Sequence, residues 1–94
     1  MTDELFELKS GVYRAASNYH RTAGEYFAAL APRAASNVKM PQIRHDCLGY
    51  RQDYALALDV LIKYLLANEP TSYDLDRAQR TRQLLEHELH LACR

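Results

Sequence analysis

Laid on a seven-residue template, the first third of the chain is apolar at almost every position of one helical row. The row is Leu5, Leu8, Val12, Ala15, Tyr19, Thr22, Tyr26 and Ala29, with Thr22 its one polar member. A neighbouring row adds Phe6, Tyr13, Ala16, Ala23, Phe27 and Leu30. A wide stripe with this period predicts an amphipathic helix and fits strand alternation badly. Thr2 followed by Asp3 and Glu4 supplies a cap and acids for the positive end of the helix dipole. Pro32 stops the helix, and Ser10-Gly11 is a candidate break or bend near its start. The first helix is expected over 2–31.

The second row starts at Met40 and reads Ile43, Cys47, Tyr50, Tyr54, Ala57, Leu61 and Tyr64, with Leu48, Ala55, Leu58, Ile62 and Leu65 beside it. Pro41 suits a first helical turn. From Tyr54 to Ala67 apolar residues, among them Leu56, Val60 and Leu66, occur on nearly every side, with Asp59 and Lys63 one turn apart and able to pair. A helix apolar all round is normally enclosed, and two neighbours hardly enclose it, so self-association is expected. Asn68-Glu69-Pro70 ends this helix, expected over 41–67. Thr71 or Ser72 then caps a third helix over 72–92, with Asp74 and Asp76 in its first turn and apolar positions at Leu75, Ala78, Leu84, Leu85, Leu89, Leu91 and Ala92. The segment from Asp76 to Gln83 is mostly polar, hence solvated or reserved for a partner. The expected fold is all-α: one 94-residue domain forming an antiparallel three-helix bundle.

The word RAASN occurs twice, at Arg14–Asn18 and Arg33–Asn37. Aligning the two copies brings Tyr13 onto Pro32 and Gly24 onto Ile43, so the hydrophobic period does not travel with the word. A duplicated unit would carry that period along. The echo is a coincidence, with the first copy mid-helix and the second in a connector.

Composition narrows the function classes. Net charge is zero, with twelve basic and twelve acidic residues, which disfavours a nucleic-acid binder working mainly through phosphates. A local basic excess runs from Arg33 to Arg51, suited to an acidic partner or a small phosphorylated ligand. Two cysteines without CxxC spacing suggest a reducing, cytoplasmic location. The acidic start MTDELFELKS does not resemble a signal peptide, and the longest apolar stretch is too short to span a bilayer.

Four patterns carry candidate chemistry. Arg82-Gln-Leu-Leu-Glu-His87 resembles the R-x4–6-H ribonuclease pattern of HEPN domains, in which an arginine and a histidine act on an RNA phosphate across a dimer interface. That resemblance implies loss of RNA cleavage on Arg82→Ala; the competing interpretation pairs Arg82 with Glu86 on a solvated face. His87, His90 and Cys93 recur every third residue but drift over roughly 120° of helix surface, so no metal site is expected. His20, four residues before Gly24, is similar to histidine phosphotransfer domains, although Ala23 stands where they usually carry lysine. The default there is an amphipathic histidine at the core edge.

The fourth pattern is seven tyrosines without tryptophan, several of them next to arginines. Tyrosine offers a flat apolar face and a hydroxyl, and arginine a forked donor for carboxylate or phosphate. Tyr19, Tyr26, Tyr54 and Tyr64 fall at core positions. The candidate partner- or ligand-binding residues are therefore Tyr13, Arg14, Arg21, Arg44, Tyr50, Arg51, Tyr73, Arg77, Arg80 and Arg82. With no glycine-rich phosphate loop, no GxSxG and no cofactor motif, an enzyme is not expected. The leading expectation is an interaction module, an adaptor or inhibitor of a larger protein, of the kind bacteria and phages encode. The alternative is an oligomer that gathers Tyr13, Arg14, Tyr50 and Arg51 around a small phosphorylated ligand or nucleotide.

Overall fold

The computed structural model describes residues 4–29 and 40–92, with side chains at 4–28 and 41–87. Three helices account for nearly all of it: α1 (Glu4–Ala29), α2 (Met40–Asn68) and α3 (Tyr73–Ala92). The all-α, three-helix bundle read from the hydrophobic period is the fold observed. Helix α2 is central. Both α1 and α3 pack along it, and they touch each other only slightly.

Local chemistry explains the boundaries. Glu4 and Glu7 occupy the first turn of α1, where the helix dipole favours negative charge. Helix α1 runs through Ser10-Gly11 without interruption, because Leu8, Val12, Ala15 and Ala16 on either side of that pair are held against the core. Pro41 falls in the first turn of α2, where its missing N–H costs no helical bond. At the other end Asn68 Nδ2 donates to the Tyr64 carbonyl at 2.9 Å and covers one terminal acceptor. Of the two cap candidates for α3, Ser72 does the work: its Oγ accepts from the Leu75 N–H at 3.2 Å and donates to the Glu69 carbonyl at 2.8 Å.

The core is built on α2. Cys47, Tyr54, Ala55, Leu58, Leu61 and Leu65 are buried from that helix, Tyr19 from α1, and Leu75, Ala78 and Leu85 from α3. Leu5, Leu8, Val12 and Ala15 are partly buried against this cluster, and Tyr26 is buried on the same α1 row. Thr22 is buried as well, and its hydroxyl donates to the Asn18 and Tyr19 carbonyls. Tyr64 is half-buried.

Several apolar positions do not join the core. Among the described members of the second α1 row, Ala16 and Ala23 pack inward, while Phe6, Tyr13 and Phe27 stay exposed; Leu30 lies outside the described residues. Leu48, Leu56, Val60 and Leu66 of α2 and Leu84 of α3 are also exposed. Two neighbours do not close around a helix, so the side of α2 away from α1 and α3 keeps Leu56 and Val60 in solvent. Asp59 does not turn to Lys63 but accepts from Arg82 Nε at 3.0 Å, tying α2 to α3. The first RAASN word lies mid-helix as expected, with Ala15 and Ala16 inward and Arg14 and Ser17 exposed. The second word, together with Pro32 and Ser36-Asn37, falls outside the described residues. No described helix is long and apolar enough to cross a membrane.

Candidate functional site

The slight contact between α1 and α3 leaves a groove over α2. A cavity of about 160 Å³ opens there, lined from all three helices. Its apolar floor is Val12 and Ala16 from α1, Tyr54, Leu58 and Leu61 from α2, and Ala78 from α3. Lys9, Tyr13, Asp74, Arg77 and Thr81 form its rim. Lys9 Nζ bonds Asp74 Oδ2 at 2.7 Å and bridges α1 to α3. Tyr13 is 68% exposed, and the Arg77 side chain is exposed as well. Arg77 has no salt bridge to another described residue, unlike Arg80 and Arg82.

The helical wheel explains the convergence. Lys9, Tyr13 and Ala16 follow one another at three- and four-residue steps along one side of α1, and Asp74, Arg77 and Thr81 do the same on α3, with Ala78 beside them. Each row flanks the core row of its helix, so both meet above Tyr54 and Leu58. Further along, the rings of Tyr19, His20 and Tyr54 form a cluster with centroids 5.4 to 5.9 Å apart. His20 is exposed but packed edge-on against Tyr54, in keeping with an amphipathic residue at the core margin.

The other candidates scatter. Tyr50 is half-buried against the core, with the Arg21 guanidinium 6.0 Å from its ring centroid, a cation–π contact inside the chain. Tyr50 lies in the apolar row of α2 as read from the sequence and is only partly exposed to a partner. Arg51 is half-buried and its Nε is enclosed without a hydrogen-bond partner among the described residues. Arg14 is exposed on α1, outside the cavity lining, so Tyr13, Arg14, Tyr50 and Arg51 do not gather into one pocket within a chain. Tyr73 is 74% exposed at the start of α3. Arg80 pairs with Asp76 at 3.2 Å. Arg44 lines a second pocket, of about 460 Å³ and more open than the groove cavity, with Tyr26, Pro41, His45 and Leu48.

Arg82 is only 24% exposed and is gripped by two carboxylates, Glu86 at 2.6 Å and Asp59 at 3.0 Å. The hydrogen bond it donates to Glu86 leads in raising its pKa above the ordinary arginine value, against the opposing effect of burial, and Asp59 adds to the rise. The Arg82–Glu86 pairing weighed against the ribonuclease pattern is thus present. His90 and Cys93 of the histidine–cysteine series lie outside the described side chains. Among the described residues no group of three metal-ligating side chains assembles.

Sequence reasoning missed Lys9, Asp74 and Thr81 as site residues. Asp74 reads as a dipole-facing acid, and only the fold shows that it holds Lys9. Lys9 had one signal: it is the single cation in an acidic opening segment. No family model matches the chain, and no curated protein and no solved structure matches it.

Proposed function

We propose that the protein is a small interaction module, an adaptor or inhibitor, that binds a larger protein partner in the α1–α3 groove. The observation that supports this is the presence of Tyr13 and Arg77, exposed and contributed by different helices, around one apolar cavity. Tyrosine and arginine dominate the energetics of protein interfaces because each combines apolar contact area with directional hydrogen bonding. The floor offers a place for one apolar side chain of the partner. Arg77 offers a forked donor for a carboxylate beside it. The cavity is smaller than the roughly 300–1,000 Å³ typical of small-molecule sites, which favours a side-chain anchor over a nucleotide.

The test is copurification with the tagged full chain from its native cytosol, comparing wild type, Tyr13→Ala, Arg77→Glu and Arg80→Ala. Arg80 is the control, since it is engaged by Asp76 and lies outside the cavity. The expected result is a partner recovered with wild type and Arg80→Ala. Tyr13→Ala and Arg77→Glu should each lose it by about tenfold or more, as hot-spot residues do. Helicity should be unchanged in all four. Equal recovery with every variant would overturn the groove as the interface.

A further inference from the structure

On the side of α2 facing away from the groove, six residues form a row spaced alternately four and three apart: Gly49, Asp53, Leu56, Val60, Lys63 and Ala67. This is the spacing of a coiled-coil seam, which faces one direction along a helix. Every member is exposed, Leu56 and Val60 at 55% and 53%. Neither Asp53 nor Lys63 forms a salt bridge with another described residue. Asp59, at the flank, is already engaged by Arg82.

The order of the row is its own mirror image in chemical terms. A two-fold axis midway between Leu56 and Val60 sets Leu56 against Val60 of the second copy. Asp53 then meets Lys63 of the second copy, and Gly49 meets its Ala67. Apolar therefore meets apolar, acid meets base, and small meets small, each contact occurring twice. That self-complementarity is what an isologous interface requires. In a parallel arrangement the row would place Asp53 on Asp53 and Lys63 on Lys63, and like charges oppose association.

We infer that a second copy of this chain covers the outer face of α2, antiparallel and in this register. The face lies opposite the groove, so a dimer leaves both partner grooves open, and failure of either proposal leaves the other standing.

The test is sedimentation equilibrium of the full chain and its charge variants. Wild type should sediment as two chains of 10.8 kDa each. Leu56→Glu should give a helical monomer. Asp53→Lys and Lys63→Asp should each weaken association several-fold, by placing like charges together at two symmetric positions. The double exchange Asp53→Lys/Lys63→Asp should restore it. A monomeric wild type would overturn the inference, and so would a dimer indifferent to Leu56→Glu. A double exchange no tighter than either single variant would rule out the antiparallel register.

Discussion

Thr22 is the polar member of the α1 core row, and its fate illustrates the residue scale. Its hydroxyl donates to the carbonyls of Asn18 and Tyr19 at 3.0 and 2.9 Å, so a buried polar group is satisfied by its own helix. Valine has the same shape and removes donor and desolvation cost together. Thr22→Val should therefore change unfolding free energy by less than about 0.5 kcal/mol in chemical denaturation. Ser72 is different, because its side chain serves a backbone N–H that helix α3 cannot satisfy itself. Ser72→Ala should destabilise by about 1 kcal/mol in the same measurement. From the sequence Ser72 was one of two cap candidates, and Thr22 was marked as the polar break in a clear period. The Arg82 contacts were legible only by half. Glu86 is one turn away along the sequence, whereas Asp59 reaches Arg82 from another helix and no local pattern encodes that.

At the scale of elements, the adjacent pair Leu84 and Leu85 shows where periodicity reading stopped. Both belong to the apolar set of α3, yet Leu85 is 2% exposed and Leu84 is 61% exposed. A helix packed on one neighbour buries a narrow stripe, and α3 rests on α2 with little help from α1. The same geometry leaves Phe6 and Tyr13 outside the α1 stripe. The sequence marks an apolar arc; how many partners cover it is a property of the packing. Leu85→Ala should cost about 2–5 kcal/mol of stability, mostly by opening a cavity. Leu84→Ala should stay within about 0.5 kcal/mol, with both read from denaturant midpoints. The order of the described helices was readable, as were the end of α2 and the start of α3 to within about one residue, because caps and a helix-ending Asn-Glu-Pro are local signals; the Thr2–Asp3 cap and the limits expected at 2 and 31 lie outside the described residues.

For the whole molecule, the open placement of α1 and α3 on α2 creates both surfaces that matter. One is the Tyr13–Arg77 groove, and the other is the outer seam of α2. The candidate arginines could be named from the sequence, but not sorted, because sorting depends on which carboxylates the fold brings near. Asp76 takes Arg80, and Asp59 with Glu86 takes Arg82, while Arg77 stays available to a partner. The central claim is that the groove holds another protein, and native mass spectrometry of gently purified material tests it most directly. The expected species is a complex heavier than the chain or its dimer by the mass of a second protein, and it should lose that extra mass in Tyr13→Ala/Arg77→Glu. A species carrying only a few hundred daltons of extra mass, or a complex unchanged in the double variant, would contradict it.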